Sequence, residues 1–160
     1  MTYTVRMAED KDLDVLTEFE LEIARISFSE DAVVDPQVHR KKLAKALDRD
    51  REGMLVATDE ADLPVGWLWI AINSNFLTGA RYANFRSLMV APIPGRSQIG
   101  ELLLARGLDY ADRSGATEVV GKVHVDNAPM RVLYRKYGFT AAHLTMRRKL
   151  SGRLGDGTGS

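Results

Sequence analysis

Small and apolar residues recur at helical spacing in the second half of the chain. Gly100, Leu103, Leu104, Gly107, Leu108 and Ala111 share one face, while Glu101, Asp109, Asp112 and Arg113 fall on others. That pattern predicts an amphipathic helix. Just upstream, Pro92, Pro94 and Gly95 forbid a continuing strand or helix, so residues 90–95 read as a strand end and a tight loop. A second helix is predicted over residues 128–137, with Met130, Leu133, Tyr134 and Tyr137 on one face. Asn127 stands where a cap would, Gly138 where a helix would stop, and Phe139 begins the next strand.

The remaining elements follow from the same periodicities. Tyr3 and Val5 alternate with polar neighbours in a short strand over residues 2–7. Val15, Leu16, Phe19, Ile23 and Ile26 form a helical stripe that Asp10 or Asp12 would cap. Residues 37–48 predict another helix, with His39, Leu43, Ala46 and Leu47 on one face. Strands at 54–58 and 65–73 flank a turn and make a hairpin, and further strands are expected at 83–90 and 117–125. Residues 143–150 close the sheet. Strands alternating with helices and hairpins argue for a mixed α/β fold. A single domain is expected over residues 1–150, with 151–160 too poor in apolar surface to offset its ordering entropy and therefore a flexible tail.

Composition narrows the function. Lys and Arg total 22, as do Asp and Glu, so neither nucleic acid nor a membrane surface is suggested as a partner. Cys is absent, which removes disulfides, thiolate zinc sites and cysteine nucleophiles and accords with a reducing compartment. His39 and His143 carry no spacing that supports a metal, and none is expected. Arg6, Glu9, Asp10 and Lys11 stand where a signal peptide needs an apolar run, and the longest apolar stretch, 65–72, is far short of the roughly 20 residues that span a bilayer. A cytoplasmic protein is the expectation.

The chemistry centres on the two helix starts. A loop opening a helix leaves backbone N–H groups unpaired at the positive end of the dipole, a site for an anion and most often a phosphate. The two stretches together resemble the acetyl-CoA-binding signature of the GNAT superfamily of acetyltransferases. That signature runs V-x-P, then Q/R-x-x-G-x-G/A into a helix, then N-x-x-A-x-x-L-Y-x-x-x-G-F. Val90, Pro92, Gly100, Asn127, Leu133, Tyr134, Gly138 and Phe139 match it. Gly95 stands in place of Gln or Arg, Gln98 in place of the first Gly, and Met130 in place of a small residue.

The resemblance implies a GNAT-like mixed sheet with the order β-α-α-β-β-β-α-β-α-β-β and two central strands splayed apart. It implies acetyl-CoA as the acyl donor. The pyrophosphate would lie on the backbone of Gly95, Arg96, Ser97, Gln98, Ile99, Gly100 and Glu101, with Arg96 and Ser97 adding side-chain donors. The pantetheine arm would lie along Met89 and Val90 in the gap, with Asn127 and Met130 near its other side. A backbone N–H near Met89 would polarise the thioester carbonyl. Tyr134, a phenol that is neutral at pH 7, would protonate the departing sulfur. Candidates for the base are Glu20, Glu22, Glu30, Asp31 and His124. The amine acceptor would meet residues 26–36, the loop 74–82, and Arg86 or Ser87, and the acidic Glu30–Asp31 stretch would suit a cationic acceptor. Strand exchange near residues 143–150 would support a homodimer. The expected function is N-acetyl transfer to a primary amine of a small molecule, peptide or protein. A non-catalytic acyl-CoA-binding regulatory module and a general phosphate-binding domain are the alternatives.

Overall fold

The computed structural model describes residues 2–28 and 33–150. Glu30, Asp31 and the expected tail lie outside the described residues. Two apolar runs build the centre of the sheet. β2 (Met54–Thr58) is buried along its whole length and β3 (Pro64–Ser74) from Gly66 to Ala71, as strands covered on both faces must be. With β1 (Thr4–Met7), β4 (Arg81–Val90) and β5 (Val119–Gly121) they form one sheet in the order β1-β2-β3-β4-β5. Neighbours are antiparallel except β4 and β5, which are parallel. A parallel pair needs a long crossover, and α3 (Arg96–Arg113) supplies it.

Alternation along β3 sends its side chains to two different layers. Trp67 and Trp69 pack with Leu13 and Leu16 of α1 (Leu13–Phe28), Leu43 and Leu47 of α2 (Pro36–Asp50), and Met54 and Val56 of β2. Gly66, Leu68 and Ile70 face α3. A Cβ on Gly66 would sit 2.9 Å from Leu103 Cδ1, and one on Gly107 would sit 2.7 Å from Leu68 Cδ2. Helix and sheet approach this closely because both positions lack a side chain.

The stripe of α1 is rotated from the apolar reading. Ile26 is 54% exposed, while Thr17 and Glu20 are buried beside Leu13 and Leu16. Glu20 can occupy this face because its Oε2 accepts the Trp67 indole N–H at 3.2 Å, and a buried polar group is tolerable when hydrogen-bonded. Asp12 orders the entrance to α1. It accepts from the Glu9 N–H at 2.8 Å and from both terminal nitrogens of Arg6 at 2.8 and 3.0 Å, a bidentate charge-assisted pair.

The described residues fall into two compact units, divided between His124 and Val125. The second contains α4 (Ala128–Lys136). The closing strands expected after it are absent among the described residues, and Leu144 and Met146 are 81% and 85% exposed. β5 is also shorter than residues 117–125. A strand exists only where another backbone completes its ladder, and alternation within one segment says nothing about that partner. The segment expected to exchange between protomers is therefore not a strand here.

Candidate active site

β4 is bent by one extra residue. Trp69 opposes Ser87 while Ile70 opposes Phe85, so Arg86 has no partner of its own on β3. Such a bulge bends its strand and sharpens the local twist. Pairing of β4 with β5 runs from Ala83↔Val119 to Phe85↔Gly121 and stops at that point. From Arg86 to Val90, β5 does not pair with the edge of β4.

The ladder determines which amides face the open edge. The Ala83 N–H donates to Glu118 O at 2.9 Å, toward β5, and the Ala91 N–H donates to Val65 O at 2.8 Å, toward β3. Backbone groups alternate sides along an antiparallel strand. Counting back from Ala91, Met89 and Ser87 turn to β3, while Val90 and Leu88 face outward. Counting forward from Ala83, Phe85 faces β5, and the two counts agree because Arg86 is inserted between them. The Met89 N–H turns toward Trp67, and that of its neighbour Leu88 faces outward beside Val90. An N–H near Met89 at this edge is thus the Leu88 amide, a residue that the sequence does not single out.

β4 leads into the first turn of α3. Gly95 is the N-cap, with φ +83° and ψ 8°, a left-handed conformation that glycine adopts without strain. Residues 96–100 are already helical. The Arg96 N–H reaches Ile93 O at 3.1 Å and the Ile99 N–H reaches Gly95 O at 3.0 Å. The N–H groups of Ser97 and Gln98 meet no acceptor among the described residues. Gly95 through Gln98 are exposed, whereas Ile99 and Gly100 are buried and Glu101 is half-buried. Four consecutive residues thus present two open amides and one guanidinium to solvent, while Ile99 and Gly100 pack against the sheet.

In the second unit, Asn127 caps α4, its Oδ1 accepting from the Met130 N–H at 3.3 Å. Gly138, at φ +83°, reverses the chain at the other end. The Phe139 N–H returns to Tyr134 O at 2.9 Å and the Gly138 N–H to Arg135 O at 3.1 Å, the paired bonds of a Schellman motif. Its usual apolar contact is the Tyr134–Phe139 ring pair, with centroids 4.6 Å apart. Tyr134 is 7% exposed, and burial pushes its phenol up to about 12.

Two surface hollows of about 320 and 390 Å³ open around Tyr110 and Arg113, and none of the predicted site residues lines either. Among the described residues no helix is long and apolar enough to cross a membrane, and no group of three or more His, Asp or Glu side chains could hold a metal.

Residues 21–139 match the acetyltransferase (GNAT) family. The chain belongs to that family. A stretch of 90 residues is 28% identical to the mycothiol acetyltransferase of Renibacterium salmoninarum, covering 56% of this chain and 27% of that protein. The chain therefore spans about a quarter of that relative's length. Among solved structures, a Pyrococcus furiosus protein assigned as an acetyl transferase superposes with a TM-score of 0.77 at 22% identity, over 93% of this chain and 100% of that one. An aminoglycoside antibiotic 6'-N-acetyltransferase from Acinetobacter baumannii superposes with a TM-score of 0.69 at 16% identity, over 94% and 99%. At these identities the structural likeness speaks to the fold.

The described candidate bases in this GNAT chain differ sharply in setting. Glu20 is buried against Trp67, Glu22 pairs with Arg25, and His124 is exposed beyond the end of β5. Glu30 and Asp31 lie outside the described residues. The shifted phenol has a consequence for stability. Tyr134 ionises later in the folded chain than in the unfolded one. Its contribution is therefore complete below about pH 10 and is lost as pH climbs toward about 12. Denaturant titrations from pH 9 to 12 should show wild type losing stability relative to Tyr134→Phe, at up to about 1.4 kcal/mol per pH unit. Parallel curves would mean that Tyr134 ionises alike in both states.

Proposed function

We propose that this GNAT chain transfers the acetyl group of acetyl-CoA directly to a primary amine. The observation that carries the reading is the open edge of β4, with the Leu88 and Val90 amides facing outward immediately before the exposed first turn of α3. An extended amide arm can add to such an edge as a further strand, and a diphosphate suits the Ser97 and Gln98 amides. Val90 would pair with the arm, and Leu88 would donate to the thioester oxygen as negative charge develops there. The acceptor nitrogen bonds to the carbonyl carbon, and the π pair moves to oxygen. Collapse restores the carbonyl and breaks the C–S bond, with Tyr134 protonating the sulfur. The surplus proton on nitrogen returns to the phenolate, so the cycle closes with a neutral Tyr134. Absence of Cys accords with direct transfer, since no thiol could carry the acyl group.

The test is a panel of primary amines with acetyl-CoA, following CoA thiol release and product mass. Binding of acetyl-CoA with no release across the panel would identify a non-catalytic acyl-CoA module. Failure to bind acetyl-CoA would defeat the whole reading. Arg96→Gln should weaken acetyl-CoA binding by about 5–30-fold, roughly 1–2 kcal/mol for an exposed charge-assisted contact. The loss should shrink as salt rises. Unchanged calorimetric affinity would remove Arg96 from the phosphate site.

A further inference from the structure

We propose that the acceptor is a primary amine that also carries a carboxylate or phosphate, and that Arg86 and Lys42 hold this anionic group. The proposal rests on the acetyltransferase reading and names the substrate class for it. Trp69 is 1% exposed and faces the layer of α1 and α2. The Arg86 Cζ lies 4.7 Å from the centre of its indole ring, and the Lys42 Nζ lies 5.6 Å from the same centre. The negative face of a ring attracts either cation. Two cations gathered on one ring also repel each other, and no carboxylate accepts a hydrogen bond or ion pair from either among the described residues.

Some other cations of the chain sit against carboxylates. Arg6 meets Asp12, Arg40 meets Asp14 and Arg51 meets Asp10. Arg86 and Lys42 are both exposed, so each can turn to a ligand without unfolding anything. A guanidinium and an ammonium that share one ring are suited to a carboxylate or phosphate. The Trp69 indole N–H is buried and has no acceptor among the described residues.

Position joins this pair to the reaction. Arg86 is the bulged residue at which β4 parts from β5. Leu88, the amide assigned to the thioester oxygen, follows two residues later, about 7 Å along the strand backbone. An acceptor with its amine at the thioester and its anionic group a few bonds away would span that interval. Lys42 comes from α2 and Arg86 from the strand, so the site is assembled only by the fold.

Calorimetry in the presence of CoA tests this without requiring turnover. Matched probes are an amino acid against its amide, glucosamine 6-phosphate against glucosamine, and 1,4-diaminobutane as a cationic control. At least one anionic member should bind about 10-fold or more tightly than its neutral partner. Whether the carboxylate or the phosphate pair shows the preference identifies the group. Arg86→Gln and Lys42→Gln should each bring that ratio to within about 3-fold of unity, with acetyl-CoA affinity and thermal unfolding unchanged. Equal binding within both pairs, binding by none of the probes, preference for the diamine, or a preference untouched by both variants would overturn the proposal. CoA release that is equally fast with neutral amines would leave the transferase reading standing without the anion site. Retained discrimination in binding with no release from any amine would do the opposite.

Discussion

Replacing Tyr134 by Phe will lower kcat by about 100-fold, roughly 2.7 kcal/mol, and leave acetyl-CoA affinity nearly unchanged. General acids contribute about 10²–10⁴ in rate, most when their pKa is close to the working pH. Burial holds this phenol at about 12, whereas a free thiol ionises near 8.5. In the proposed cycle, transfer to a finished thiolate is therefore uphill, and the proton passes only as the C–S bond breaks and the ammonium proton replaces it on the phenolate. That places the loss at the lower end of the range. The raised value also keeps the phenol protonated across the working range, so no alkaline fall in rate should come from Tyr134 below about pH 11. Packing of the ring on Phe139 survives the substitution, so unfolding near neutral pH should move little. A loss below about 5-fold would leave Tyr134 as a helix-end aromatic and nothing more.

Gly53→Ala will destabilise the chain by about 3 kcal/mol or more, lowering the melting temperature by about 6–12 °C. A methyl there would lie 1.9 Å from the Ile70 carbonyl oxygen and 2.8 Å from Tyr110 Cε2. The oxygen belongs to the β3 backbone and cannot rotate aside, and Ile70 borders the irregular step in the β3–β4 ladder. Gly107→Ala is the control. Its methyl meets Leu68 Cδ2 at 2.7 Å and Ile70 Cδ1 at 2.8 Å, both ends of flexible side chains, so its cost should be nearer 1–2 kcal/mol, about half as large. Equal melting shifts for the two variants would mean that the backbone clash is relieved by movement that the folded sheet does not suggest.

Local pattern alone determined a good deal of this protein. The stripe of α3, the Asn127 cap, the Gly138 reversal and the runs of β2, β3 and β4 all depend on residues within a few positions of one another. Such information is fully present in sequence, and with the signature residues it sufficed to place the chain in its family. The features that shape the proposed site depend on partners far along the chain. The bulge at Arg86 exists only in register with β3, and it transfers the outward amide from Met89 to Leu88. Burial of Glu20 needs the Trp67 indole, and the cations over Trp69 come from α2 and β4. Gly53 looks like an ordinary turn residue until Ile70 is set against it. The strands expected after α4 failed for the same reason. Periodicity belongs to one segment, whereas a ladder, a bulge or a shared ring belongs to two.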